Sequence, residues 1–122
     1  MKLHLSPKTG QNIFTAYGDD YVMINDTRHE KSLIVFPDQL IEDWPVKSIE
    51  QLESSHLECI IPHQPEIVLL GTGAKLQFPD HALISVLVKA QIGFEVMDTQ
   101  ATCRTYNILV DEGRRVAAAV LI

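Results

Sequence analysis

The segment that most constrains the fold is residues 92–122, where an apolar strand, a helix and a second apolar strand follow one another. The first strand is predicted over Ile92–Met97, and Asp98 and Thr99 open the helix. The second strand, Val116–Ile122, is apolar throughout. A helix that returns the chain to an apolar strand is typical of the crossover in α/β proteins. The segment therefore predicts an α/β fold.

The first third of the chain has the pattern of antiparallel strands. Strands are predicted over Ile13–Tyr17 and Tyr21–Ile24, with a Gly-Asp-Asp turn between them. Asn25 and Asp26 indicate a tight turn, after which Ser32–Phe36 is predicted to return as the next strand. The sequence thus predicts a β-hairpin region in addition to the crossover.

The middle of the chain supplies a central strand and two helices. Glu66–Leu70 is apolar without alternation, which predicts a strand covered on both faces. Helices are predicted over Ser55–Ile61 and Pro79–Gln91, the second from apolar residues at helical spacing. Ile41–Val46 is predicted to be extended, because a proline follows Trp44. Trp44 is either a core anchor, which we favour, or a partner-binding residue.

Length and charge limit the classes of protein to consider. A chain of 122 residues predicts a single domain, residues 1–122, with polar residues 1–12 as a loose N-terminal arm. The net charge of −6 disfavours nucleic acid as a partner, since phosphates need a basic surface.

Cysteine usage and hydropathy predict a soluble cytoplasmic protein. Cys59 and Cys103 are the two cysteines and form no CxxC motif, which predicts buried thiols in a reducing compartment. The longest apolar run, Val116–Ile122, has seven residues, whereas a membrane-spanning helix needs about 20. We expect no membrane insertion.

The first candidate site is the Gly71-Thr72-Gly73 sequence that follows the central strand. Ligand sites of α/β proteins often lie where strands end, and glycines let backbone N–H groups approach an anion. A dinucleotide fingerprint would need a third glycine where Leu76 stands, and a P-loop would need a Gly-Lys-Ser/Thr sequence. The loop is therefore either a tight turn, which we favour, or a ligand cradle.

The second candidate site is the helix after Asp98. Asp98 and Thr99 follow a predicted strand, so this strand–helix junction could lie beside the glycine loop. Asp98 is either the N-cap of the helix, which we favour, or a general acid or base. Arg104 and Asn107 are three residues apart and are expected near each other on one helical face. Arg104 either binds an anion or pairs with Glu95 or Asp98 as a structural bridge, which we favour.

The sequence contains no complete catalytic or metal-binding arrangement. Cys103 is expected to be a small buried hydrophobe rather than a nucleophile, because no histidine lies in the same segment. The five histidines show no HxxxH or HExxH spacing. We therefore predict no catalytic residues, no metal and no cofactor.

Four stretches of the chain carry a family resemblance: residues 66–73, 92–99, 103–107 and 112–117. They resemble a family of small uncharacterised domains, spread through archaea and bacteria, that includes mitochondrial complex I assembly factor 3 and an adipogenesis-associated domain protein. The resemblance covers almost the whole chain. It implies a three-layer fold with a central mixed β-sheet, a helical layer and an added antiparallel β-hairpin layer.

The resemblance also implies where a surface of interest would lie. Gly71–Gly73, Asp98–Thr99 and Arg104–Asn107 match the family's recurrent motifs, and the family implies no cofactor and no established catalytic residues. The favoured hypothesis is a non-enzymatic protein-interaction or complex-assembly module. The alternative is a small-molecule or anion-binding protein, or an enzyme, with a pocket formed by these residues. The sequence leaves the oligomeric state open.

Overall fold

The computed structural model describes residues 10–122, so positions 1–9 of the predicted arm lie outside the described residues. The strands are β1 (Phe14–Tyr17), β2 (Val22–Ile24), β3 (Thr27–His29), β4 (Leu33–Phe36), β5 (Gln39–Ile41), β6 (Ile67–Gly71), β7 (Gly93–Met97) and β8 (Val116–Val120). The helices are α1 (Ser54–Glu58), α2 (His81–Lys89) and α3 (Thr99–Asp111), and short 3-10 turns cover Ile49–Gln51 and Ile61–His63.

The central sheet is mixed and has the order β5-β4-β8-β6-β7. β6 pairs in parallel with both β7 and β8, whereas β4 pairs antiparallel with β8 and β5. β7 and β8 thus flank β6, and α3 crosses over β6 to connect them. All residues of β8 are buried, which explains why its sequence shows no alternation. The predicted α/β crossover is confirmed.

The second sheet is a three-stranded antiparallel meander, β1-β2-β3. Asn25 and Asp26 connect β2 to β3 with φ of 49° and 68°, the left-handed conformation that a tight hairpin turn requires. The predicted turn is therefore present, but the prediction that Ser32–Phe36 returns from it is wrong. The returning strand is Thr27–His29.

The residues of β4 belong instead to the central sheet, between β5 and β8. All four of its side chains are buried, so this strand needs cover on both faces, which a hairpin at the surface would not provide. Of the segment predicted to be extended, Ile41–Val46, the first residue ends β5, which pairs with β4, and residues 42–46 have no regular secondary structure.

Three layers enclose two apolar cores, one on each face of the central sheet. On one face, α1 and α2 contribute Leu57 and Leu87, and Trp44 is buried beside them as the predicted anchor, its indole N–H donating to the His56 carbonyl (3.2 Å). On the other face, α3 and the three-stranded sheet pack together. The three-layer fold with an added antiparallel layer is confirmed.

Candidate functional site

The structure brings the glycine loop and the start of α3 side by side. Because β6 and β7 are parallel neighbours, their C-terminal ends meet at one edge of the sheet. Thr72 N–H donates to the Met97 carbonyl (2.9 Å), and Thr99 N–H donates to the Gly73 carbonyl (2.9 Å). Gly73 N–H in turn donates to the Thr99 hydroxyl (3.0 Å). These hydrogen bonds hold the two junctions together as one rigid corner.

Thr72 closes the loop upon itself. Its side chain is buried, and its hydroxyl lies 2.7 Å from the Lys75 carbonyl, to which it can donate. The same hydroxyl accepts from the Gln77 N–H at 3.1 Å. The hydroxyl of Thr72 is thus used in shaping the turn, which is the interpretation that the sequence favoured for this loop.

The two glycines of the loop serve different purposes. Gly73 has φ of +90° and open space where a side chain would project, so its conformation favours glycine. Gly71 ends β6 beneath α3, and a Cβ there would lie 3.0 Å from the Thr102 hydroxyl oxygen. Gly71 therefore permits close packing of α3 on the sheet.

Asp98 is the N-cap of α3, as the sequence favoured. Its carboxylate accepts from the Ala101 N–H at 2.8 Å, and its carbonyl accepts from the Thr102 hydroxyl at 2.9 Å. A carboxylate at this position also interacts favourably with the positive end of the helix dipole.

Arg104 and Asn107 do not share a surface. Arg104 is exposed, and its Nη2 donates to the Tyr17 hydroxyl at 3.2 Å, which links α3 to the end of β1. Asn107 is buried with 5% of its surface exposed. Its side-chain amide donates to the Phe14 carbonyl (2.8 Å) and its side-chain oxygen accepts from the Phe14 N–H (2.9 Å).

The side-chain amide of Asn107 thus hydrogen-bonds to the N–H and C=O of Phe14 as the backbone of a neighbouring strand would. This pairing docks β1 on α3. Tyr106 assists, because its hydroxyl donates to the Asn12 carbonyl (2.9 Å) and its ring meets that of Phe14 edge-on with 5.1 Å between centroids. The sequence analysis missed this role. The signal was the spacing of Cys103, Tyr106 and Val110, which places position 107 on the buried face of the helix.

Gly73, Asp98 and Thr99 line one small cleft together with Tyr17 and Asp19 of the β1–β2 connection. The cleft has a volume of about 120 Å³, compared with roughly 300–1,000 Å³ for a typical small-molecule site. It carries the carboxylates of Asp19 and Asp98, so its charge opposes the binding of an anion. Arg104 and Asn107 are absent from the residues that line it.

A larger depression of about 670 Å³ lies away from the glycine loop, beside Trp44. Its charged lining has both signs, with Glu30 and Asp43 against Lys31 and Lys47. Within residues 10–122, no three histidine, cysteine or acidic side chains are grouped closely enough to hold a metal ion. None of the helices in this range is long and apolar enough to cross a membrane.

The two thiols have different environments. Cys103 is buried, and desolvation raises the pKa of its thiol to about 12, so it is protonated and unreactive near neutral pH. The expectation of a buried hydrophobe at this position is confirmed. Cys59 is exposed, so the prediction that both thiols are buried is wrong for this residue. It directly follows the short helix α1, and both Cys59 and the preceding Glu58 are exposed.

The fold and the corner at Gly73 and Thr99 define a three-layer α/β domain in which a crossover helix carries a docked β-meander. A family described as a protein of unknown function (DUF498/DUF598) matches residues 14–121. The chain belongs to this family, and the resemblance seen in the sequence is confirmed.

Relatives of the chain include proteins of bacteria and animals. It is 31% identical over 109 residues to the "13 kDa major membrane protein" of Francisella tularensis subsp. holarctica (strain LVS), covering 88% of this chain and 89% of that protein. It is 32% identical over 108 residues to the NADH dehydrogenase (ubiquinone) 1 alpha subcomplex assembly factor 3 of Xenopus tropicalis, covering 87% of this chain but only 58% of that relative.

The fold also matches a solved structure. A crystal structure of a protein from Bordetella parapertussis is similar with a TM-score of 0.87 at 38% identity, covering 94% of this chain and 98% of that one. At this coverage the similarity extends over nearly the whole of both chains.

Proposed function

We propose that this chain is a non-enzymatic protein-interaction module that assists the assembly of a protein complex. The observation that carries the proposal is the exposure of large apolar side chains after β6. Phe78 is 71% exposed, Val88 63% and Leu76 51%. Apolar side chains grouped in one exposed segment are typical of surfaces that bind another protein.

The helix α2 supports this proposal. Its sequence is apolar at most positions, yet Leu87 is its one fully buried residue. Leu83 packs against the core as a partly buried side chain, whereas Ala82 and Val88 face solvent. The helix therefore carries more apolar surface than the fold buries, and a partner would remove that surface from water.

The name of one relative supports the same direction. The Xenopus relative is named an assembly factor, and an assembly factor needs protein partners. The Francisella relative is named a membrane protein, although its name mentions no partner. From these we take only that the chain assists a complex by binding protein, and we retain the cytoplasm as its proposed location.

The test is capture of partners from the native host by cross-linking, with three forms of the chain compared at equal expression. We expect the double variant Phe78→Ser with Val88→Ser to lose its partner about tenfold or more, because removing buried apolar anchors costs about 1–2 kcal/mol each. The matched control is Ile108→Ser, which changes an equally exposed apolar side chain on α3 (59% exposed). It should capture as the unchanged chain does.

Two outcomes would contradict the proposal. In one, all three forms capture the same proteins in the same amounts. In the other, the double variant changes only the binding to lipid vesicles, which would make the exposed segment a membrane contact. Circular dichroism of each variant establishes that the fold is unchanged, since both altered side chains lie at the surface.

The alternative function is binding of a small ligand at the cleft beside Gly73. The observation that favours it is that Gly73, Asp98 and Thr99, all candidates from the sequence, line one cleft. Its carboxylates favour a neutral or cationic ligand over the anion first considered. The volume of about 120 Å³ restricts such a ligand to a few non-hydrogen atoms, which favours the interaction module over this alternative.

A further inference from the structure

The strand β7 is an edge of the central sheet within residues 10–122. It has five residues, whereas β5 at the other edge has three. Natural sheets protect long edges with charged side chains, lysine above all, with proline or with a bulge, because unpaired backbone groups attract other strands. β7 has one charged side chain, Glu95, contains no lysine or proline, and pairs with β6 in unbroken register. It is therefore the edge of this sheet that is best suited to accept a further strand.

The backbone of β7 shows which groups are available. Gly93 N–H donates to the residue before β6 (3.0 Å), and the Met97 carbonyl accepts from the residue after β6 (2.9 Å). In a parallel ladder, residues that bond to the neighbouring strand alternate with residues whose groups point away. Phe94 and Val96 consequently present both their N–H and their C=O groups to the open side.

The side chains of β7 differ between its two faces. Phe94 and Val96 are partly buried and pack against the core on the α2 side. Glu95 is exposed and, by the alternation of strand side chains, points to the α3 side. A strand added to β7 would therefore have Phe94 and Val96 as apolar neighbours on one face. On the other face it would have Glu95 as the charged neighbour, beside Met97, which packs against the core on the α3 side.

We propose that β7 binds an extended segment of a partner protein in which a lysine or arginine, flanked by apolar residues, lies opposite Glu95. The inference rests on the proposed function, for which it supplies the mode of binding. Four backbone groups of Phe94 and Val96 contribute to the affinity, in addition to the exposed apolar side chains of the proposed interaction module. The pairing of Glu95 with a basic residue gives the selectivity, because opposite charges stabilise a cross-strand pair and like charges destabilise it.

Charge also argues against a second copy of this chain as the occupant. In an antiparallel pairing of two β7 strands that joins Phe94 with Val96, Glu95 lies directly opposite its own counterpart. Two carboxylates then meet at the closest cross-strand position, which is destabilising. Shifted registers avoid this contact but use fewer of the available hydrogen bonds.

The test uses a short capped peptide that alternates valine and lysine, and a matched peptide that alternates valine and glutamate. Titration into the ¹⁵N-labelled chain is expected to shift the amides of Phe94 and Val96. The lysine peptide should bind about tenfold more tightly, because the glutamate peptide replaces attraction across the strands by repulsion. Glu95→Lys should reverse the preference.

The control is Glu112→Lys, which makes the same charge change at an exposed position beyond α3. It separates pairing at β7 from general attraction of a cationic peptide to an acidic protein. Glu112→Lys should leave the preference for the lysine peptide in place. Equal effects of the two substitutions, or shifts confined to other amides, would overturn the inference.

A sedimentation measurement of the chain alone decides the occupant. If the chain forms dimers, and dimer formation shifts the NMR signals of the Phe94 and Val96 amides, the assignment of β7 to a partner protein is overturned. Failure of this inference is distinguishable from failure of the proposed function. If Glu95→Lys keeps a partner that the Phe78 and Val88 double variant loses, the interaction module stands and only the mode of binding is wrong.

Discussion

Replacement of Asn107 by alanine is expected to lower the free energy of unfolding by about 2–6 kcal/mol. The side-chain amide of Asn107 satisfies both the N–H and the C=O of Phe14 within a buried interface. Alanine would leave both backbone groups without partners away from water, and each such group costs about 1–3 kcal/mol. Few single substitutions in this chain combine two such losses.

Urea unfolding followed by circular dichroism measures the effect, with Gln100→Ala as the control in the exposed part of the same helix. The control should change stability by less than about 0.5 kcal/mol. Hydrogen exchange adds a local readout, because the amides of β1 and β2 should exchange faster in Asn107→Ala than those of β6. A loss of under about 0.5 kcal/mol for Asn107→Ala would contradict the docking role.

Alkaline pH is expected to destabilise the chain through Cys103. Burial raises the pKa of its thiol from 9.0 to about 12. A raised pKa means that the folded state holds the proton more tightly than the unfolded state does. The associated stability is fully present below pH 9 and is lost as the pH rises from about 9 towards about 12, at roughly 1.4 kcal/mol per pH unit.

Chemical unfolding at a series of pH values above 8 measures this slope. Cys103→Val should remove that part of the slope, whereas Cys59→Ser should retain it. Partial desolvation also raises the pKa of Cys59, so Cys59→Ser removes only the contribution of that thiol. Burial also raises the pKa of Tyr106, which acts in the same direction, so Tyr106→Phe measures the second contribution separately. An identical slope in Cys103→Val and the unchanged chain would contradict the account of a desolvated thiol.

The parts of the fold that the sequence predicted correctly depend on local patterns. The crossover over residues 92–122 and the central strand after Glu66 are apparent from hydropathy alone, and the Asn25–Asp26 turn from its two residues. The pairing of Leu33–Phe36 was mistaken, because the partner of a strand depends on which faces become buried. That information lies in β8, far along the chain.

In the candidate site, too, the features that follow from local patterns were predicted correctly, and those that depend on distant residues were not. The glycine loop and Asp98 come together because the ends of parallel neighbouring strands meet at one edge, a rule that needs no side-chain detail. Arg104 and Asn107 separate because three residues in a helix of 3.6 per turn differ by about 60° around its axis. That rotation places Asn107 in the core and Arg104 outside it, and the partner of Asn107 is 93 positions away.

The most direct test of the interaction module against the small-ligand alternative is an amide-resolved NMR titration of the ¹⁵N-labelled chain. It is titrated first with a mixture of small metabolites and then with the captured partner. The account predicts a flat response to metabolites at millimolar concentration, followed by partner-induced shifts across the apolar segment from Leu76 to Val88. Metabolite shifts concentrated at Gly73, Asp98 and Thr99, with no response of the apolar segment to the partner, would contradict it.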